Sequence, residues 1–299
     1  MAPPPLSLDT ALEQIGAEVD RAFDSLLPVP PDSRARLFEA MRYAAIGGGK
    51  RLRPLLVMAG CSLFHVARER ALRVGLAVEC IHVYSLIHDD LPSMDDDDLR
   101  RGKPTLHKAF DESTAILAGD SLHALAFQVL AEDDTHEDPF VRSELILELA
   151  RAAGPGGMAG GQMMDLVAED QSLDLPSVTR LQQLKTGALI GWCLEAAAIM
   201  GRVPPEGRTP LRGYAHDVGL AFQIADDLLD HEGVEEKAGK RVGKDSHAGK
   251  ETFVSLLGAE RARRQAQMLV DQAIAHLGSY GEQADLLRAI ARFAVERDH

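Results

Sequence analysis

Ala and Leu recur at helical spacing through almost the whole chain, interrupted at intervals by Gly and Pro, and no stretch sustains an alternation of apolar and polar residues. That pattern disfavours any sheet architecture. The chain has no asparagine and no Asp-Gly pair, so the strongest signals for a two-residue hairpin are missing as well. Aromatic residues make up only 5% of it, too few for a strand-rich protein. The sequence predicts an all-α fold. Helical stretches fall at approximately residues 7–27, 33–46, 53–65, 69–90, 112–132, 139–153, 156–168, 177–201, 208–231, 251–277 and 282–296. Asp32-Ser33 and Ser177, which follows Pro176, supply capping signals. Neither the Pro28–Pro31 turn nor the Val203–Gly207 break resembles a flexible linker, and no internal repeat stands out. Residues 1–299 therefore read as one domain, a bundle of about ten helices. Glu232 to Lys250 is Gly- and Lys-rich and lacks helical period, which in a bundle marks a functional loop.

Charge narrows the partners. The net charge of −14 makes nucleic acid or an anionic membrane surface a poor match, so any anionic ligand needs a local basic cluster or bound cations. Cys61, Cys80 and Cys193 are far apart and form no CxxC pair, which fits a reducing cytoplasm rather than a disulfide framework or zinc knuckle. The Met1–Pro5 start has no signal-peptide pattern, and no uninterrupted apolar run reaches membrane-spanning length.

Two acidic clusters carry the chemistry. Asp89-Asp90-Leu91-Pro92-Ser93-Met94-Asp95, continued by Asp96-Asp97-Asp98, follows the apolar stretch Val78–His88. Pro92 should end that helix near residues 88–91, placing Asp89 and Asp90 at its C-terminal mouth. Carboxylates oppose the helix dipole there unless something positive is present. Alone, the run could be a solvated acidic loop. The second cluster, Asp226-Asp227-Leu228-Leu229-Asp230, ends another apolar run and sets Asp226 and Asp230 on one helix face. Two such clusters point to a divalent cation, and hard oxygen ligands favour Mg²⁺ held between carboxylates and substrate phosphates. Cations stand beside each cluster: Gly48-Gly49-Lys50-Arg51-Leu52-Arg53-Pro54 upstream, Arg100-Arg101 after the first, and Lys240, Lys244 and Lys250 after the second. Acid beside base fits Mg²⁺-bridged phosphate recognition.

These motifs, with Glu79-Cys80-Ile81-His82, Leu184-Lys185-Thr186-Gly187, Phe222-Gln223, Gly239-Lys240 and Asp245 through Thr252, resemble the trans-isoprenyl diphosphate synthases of the polyprenyl synthetase family over about residues 35–257. The resemblance implies an all-α bundle around a deep cavity, a cytoplasmic homodimer, and an enzyme that joins isopentenyl diphosphate to an allylic diphosphate with release of pyrophosphate. It further implies three Mg²⁺ ions, with Asp89, Asp95 and Asp226 as ligands and Asp90, Asp227 and Asp230 acting through metal-bound water. Arg100, Lys185, Thr186, Gln223, Lys240 and Lys250 would hold the allylic diphosphate; Gly49, Lys50, Arg53, His82 and Arg101 would hold isopentenyl diphosphate. His82 and Asp89, seven residues apart, share a helix face, which supports part of this independently. Glu251 and the extra cation Lys244 depart from the family pattern.

The growing product should run from Asp89 toward the N-terminus of its helix. Spacing favours Ser85, about 6 Å back along the axis, as the wall-lining residue. The resemblance adds that an aromatic at Tyr84, with Pro92-Ser93 inserted in the first motif, marks enzymes that stop at fifteen carbons, one of twenty being the alternative. No protein nucleophile is required, and the cysteines read as core residues. A terpene cyclase would need Asn in its second metal motif. A non-catalytic subunit of a heteromeric synthase should have lost motif Asp or Lys residues, and both sets are intact.

Overall fold

Two largely apolar helices organise the structure, a computed structural model that describes residues 7–168, 171–232 and 251–296. The first is α4 (Arg68–Asp89), in which Ala71, Val74, Ala77, Val78 and Ile81 are buried. The second is α10 (Ala188–Met200), buried on nearly every side. Around them pack α1 (Leu8–Leu26), α2 (Ala35–Ala45), α3 (Leu52–Ser62), α6 (Glu112–Ala131), α7 (Pro139–Ala153) and α11 (Thr209–His231). In particular α4 lies against α3 and α6, and α10 against α3, α7 and α11. Short helices α5 (Leu106–Ala109), α8 (Met158–Val167) and α9 (Leu175–Gln182) link these, and α12 (Phe253–Leu257), α13 (Ala259–His276) and α14 (Asp285–Glu296) close the bundle. One apolar cluster runs from Ala11 to Ala294. Each fully buried Leu or Ile in it contributes about 1.5–3 kcal/mol. The all-α expectation holds.

Four local features depart from the expected helix map. Residues 99–104 form a two-stranded antiparallel hairpin, β1 (Leu99–Arg100) and β2 (Lys103–Pro104), with Leu99 opposite Pro104 and Arg100 opposite Lys103. Its turn is Arg101-Gly102 with φ of 53° and 74°, the doubly positive geometry that Asn-Gly usually supplies. The expected helix 177–201 is interrupted by a π-turn, Gln183–Gly187. The expected helix 251–277 is two helices parted at Gly258 (φ 77°). Finally, Asp174 rather than Ser177 caps α9, its carboxylate accepting the Ser177 N–H at 3.0 Å, with Pro176 inside the first turn.

Arg51 illustrates how the fold constrains the loop between α2 and α3. It sits in the left-handed region (φ 51°), 3% exposed, and donates to Glu79 Oε1 at 2.7 Å, Asp20 Oδ1 at 2.8 Å and the Ala45 carbonyl. Glu79 is itself 2% exposed. Arg51→Met leaves that carboxylate buried without its partner, so an unfolding free energy lower by about 3–5 kcal/mol is expected in urea titration. A loss below about 1 kcal/mol would show that Glu79 finds another donor.

Candidate active site

Helix α4 ends at Asp89, where Pro92 requires it to. The following loop folds back: Asp95 N–H donates to the Asp89 carbonyl at 2.8 Å and Met94 N–H to the Leu91 carbonyl at 2.9 Å. Asp89 and Asp95 are thereby neighbours. Burial pushes the Asp89 carboxyl up to about 6, opposed by Lys185 and reinforced by Asp95. Such a cluster is relieved by a cation, and the hard-oxygen donor set suits Mg²⁺. Among the described residues no three acidic, His or Cys groups form a ready-made metal cage. An ion that also draws on phosphate oxygens and water does not need one.

A cavity of about 390 Å³ opens beside Asp89. Arg53, His82, Asp89, Lys185 and Thr186 supply its charged and polar lining, and Met94, Met158, Met163 and Leu166 much of its apolar lining. Tyr84 and Ser85 both line it, although spacing alone favours Ser85. Glu79 and, more weakly, the Asp226 carboxylate of the second acidic cluster support the charge on Arg53, which lines this cavity. Arg53 is the informative cation. Its Nε is buried with no hydrogen-bond partner, and desolvation lowers its pKa despite that support. A buried donor left in this state is costly unless a ligand satisfies it.

Arg100 and Arg101 reach this neighbourhood through the hairpin. Arg100 is ion-paired to the buried Asp90 and stands 3.6 Å from Asp97. Arg101 lies across Gly48 and Gly49, where a Cβ on Gly49 would stand 2.5 Å from the guanidinium carbon, so only glycine admits this approach. Arg100, Arg101, Gly47, Gly48 and Lys103 line a smaller adjoining crevice. Burial lowers the pKa of His82 well below the usual histidine range, and Arg53, Arg101, Arg51 and Arg100 add to it. His82 is thus neutral at pH 7, inside a cation-rich pocket fit for a polyanion. The exposed Lys50 places its Nζ 5.1 Å from the centroid of the Phe293 ring on α14.

Lys185 and Thr186 are carried by the π-turn, a rare form that is frequent at functional sites. Lys185 Nζ contacts Asp165 Oδ2 at 2.8 Å, and the Thr186 hydroxyl donates to Gln223 Oε1 at 3.3 Å. Gln223 Nε2 in turn donates to Asp227 Oδ1 at 3.3 Å, and Asp227 Oδ2 accepts the Phe253 N–H at 2.9 Å. Asp90 and Asp227, expected to act through metal-bound water, therefore also carry structural duties: one holds Arg100, the other fastens α12 to α11. Asp226 is exposed and Asp230 half-buried on α11. Lys240, Lys244, Asp245 and Lys250 lie outside the described residues. Gln162 and Asp165 on α8 are site residues that sequence reasoning missed; Gln162 lines the cavity with its Nε2 buried and unpartnered. The Gly160-Gly161 pair beside them, inside a helix, is the signal that could have drawn attention to this segment.

The polyprenyl synthetase family model matches residues 34–290, a longer span than the motifs alone cover. The chain belongs to that family. Farnesyl diphosphate synthase of Bacillus subtilis is 44% identical over 270 residues, 90% of this chain and 90% of the relative. The Escherichia coli enzyme of the same name is 43% identical over 292 residues, covering 96% and 98%. Among solved structures, an FPP/GFPP synthase of Zymomonas mobilis is 63% identical with a TM-score of 0.90, over 96% of this chain and 99% of that one. As a polyprenyl synthetase, the protein is a transferase. The expected core role of its cysteines holds: Cys61, Cys80 and Cys193 are buried, and burial pushes the thiols of Cys61 and Cys193 up to about 12.

Proposed function

We propose that this polyprenyl synthetase is a farnesyl diphosphate synthase, condensing isopentenyl diphosphate with dimethylallyl and then geranyl diphosphate. The observation that carries this reading is the two-part cavity, in which Asp89, Lys185, Arg53 and His82 adjoin Tyr84, Met158, Met163 and Leu166. Lys185, Thr186, Gln223 and Arg100, with Lys240 and Lys250, hold the allylic diphosphate. Lys50, Arg53, His82 and Arg101 hold isopentenyl diphosphate, with Gly49 contributing backbone. The methionines and Leu166 keep water from the allylic cation left when the carbon–oxygen bond breaks. The isopentenyl double bond attacks that cation, and the departing pyrophosphate accepts the proton then lost. Asp89, Asp95 and Asp226 would bind three Mg²⁺ ions, directly, while Asp90, Asp227 and Asp230 would act through water. When bound, the ions neutralise charge on the departing pyrophosphate.

Incubation with isopentenyl and geranyl diphosphates and Mg²⁺, followed by product chromatography, tests the reading; no prenyl product would sink it. A product longer than fifteen carbons is the second reading, favoured by the 63% identity to the Zymomonas enzyme whose name pairs FPP with GFPP. The same chromatogram separates the two. Arg53→Gln should raise KM for isopentenyl diphosphate about tenfold, the worth of one charge-assisted hydrogen bond, and leave that for geranyl diphosphate nearly unchanged. Equal rises for both would mean that the two diphosphate sites are wrongly separated.

Other features support a single-domain, cytoplasmic homodimer. The apolar cluster is continuous from α1 to α14, and three buried free thiols suit a reducing compartment. Helices α4 and α6 are long and apolar enough by composition to cross a membrane, although polar residues interrupt the apolar run in both. α4 is largely enclosed by the bundle, whereas α6 leaves Ile116 and Leu117 exposed at 44% and 56%. A second copy would cover that face.

A further inference from the structure

The part of the cavity wall that α4 supplies is backed by a second helix, α6. From α4, Tyr84 and His88 both line the cavity. From α6, His123 meets the Tyr84 ring edge-on, centroids 4.9 Å apart at 84°, and Phe127 backs His123 at 5.2 Å and 67°. His88 completes the ladder, 5.7 Å from Tyr84 at 77°. Ser85 contributes little bulk, since its hydroxyl turns back onto the His82 carbonyl at 2.9 Å. Tyr84, about 7.5 Å back along the axis from Asp89, is therefore the large side chain that can stop a growing chain, and its ring is held by α6.

We propose that His123 is a positioning residue for product length: it holds the Tyr84 ring in place, so that chain termination depends on α6 as well as on α4. This rests on the prenyl-synthase reading above. Edge-to-face contacts favour one ring orientation over others, and two of them, from His88 and His123, bracket Tyr84. The position suits a neutral ring. Burial holds the His123 pKa below the usual histidine range and His88 adds to this, while Asp120 acts the other way. α6 also receives His88: a Cβ on Gly119 would stand 2.2 Å from His88 Nε2, which lies 3.2 Å from the Ile116 carbonyl oxygen. Without His123 the Tyr84 ring gains room to swing toward α6, and the cavity lengthens although its lining residues are unchanged.

The test uses the full-length enzyme with isopentenyl and geranyl diphosphates, reading the ratio of longer to fifteen-carbon products by chromatography. His123→Ala should raise that ratio roughly threefold to tenfold with turnover close to wild type. His123→Phe, which restores a ring, should return it to the wild-type value. If His123→Ala fails to fold, His123→Leu, similar in bulk but without a ring, is read in its place. In a Tyr84→Ala background the His123 substitution should add nothing, because its effect passes through Tyr84. An unchanged ratio in His123→Ala, with a raised one in Tyr84→Ala, would overturn this inference and leave the function standing. Additive effects would also overturn it, making His123 a wall residue in its own right. A wild-type protein that forms no prenyl product would instead overturn the function itself.

Discussion

Asp89→Ala is expected to lower turnover by about two orders of magnitude or more, the scale seen when one electrostatic partner of a transition state is removed, while the protein stays folded. The two halves of this expectation have separate causes. Turnover falls because Asp89 lines the cavity and is the proposed direct ligand of the ions that neutralise pyrophosphate. Stability is kept because the carboxylate is desolvated and repelled by Asp95 and Asp90, so its ionised form is disfavoured in the fold. Asp226→Ala should lower turnover alike, and it should keep its stability because the side chain replaced is exposed. Asp90→Ala should differ in kind: it removes the buried partner of Arg100, so thermal stability should fall together with activity. Melting curves and steady-state rates on the three variants distinguish these roles. Near-wild-type turnover in Asp89→Ala or Asp226→Ala would remove that residue from the metal set.

Gly161→Ala should be nearly as damaging from a position that no chemistry touches. A Cβ there would stand 2.2 Å from the backbone nitrogen of Lys185 and 2.6 Å from its Cα, neither of which can turn aside as a side chain could. Replacing Gly by Ala inside a helix gains about 1 kcal/mol in propensity, but overpacking costs about 1–3 kcal/mol and the clash is with backbone. The net is a loss. α8 and the π-turn must separate, and a displacement of about 1 Å in a positioned group can cost about a hundredfold in rate. Thermal unfolding and kcat/KM measure both effects. Wild-type kcat/KM in Gly161→Ala would show that the π-turn tolerates displacement and that Lys185 and Thr186 need no fixed register.

What the sequence made legible follows from local causes. Pro92 fixes where α4 ends, so the placing of Asp89 and Asp90 at a helix mouth could be read directly. The seven-residue step from His82 to Asp89 put both on one cavity. Features set by distant contacts were not legible. The hairpin at residues 99–104 uses Arg-Gly where the usual signal is Asn-Gly, and Arg101 tolerates its left-handed backbone in a structure that rests its guanidinium on Gly48 and Gly49. The contact that demands Gly161 comes from Lys185, in a separate element. The π-turn left no mark in the apolar periodicity. Gly258 does leave a readable signal, a glycine at a helix end, although the apolar pattern continues across it. Pro176-Ser177 resembles a helix start, but a Pro inside the first turn places the cap further upstream, at Asp174.

The π-turn also sets the rotational phase of everything after it. Successive residues of an α-helix advance by about 100°, and a π-turn accommodates one residue more than the α-turn it replaces. An extra residue in a regular α-helix would turn everything after it by about 100° about the axis, and the wide turn at Gln183–Gly187 absorbs it instead, keeping α10 in phase with α9. Were the same five residues wound as a regular α-helix, Glu195, which takes ion pairs from Arg208 at 2.9 Å and Arg212 at 2.7 Å, would swing toward the apolar interior, and part of the buried face of α10 would swing out. The irregular turn that presents Lys185 and Thr186 is thus also the gear that seats the central helix, and neither can be retuned without regrinding the other.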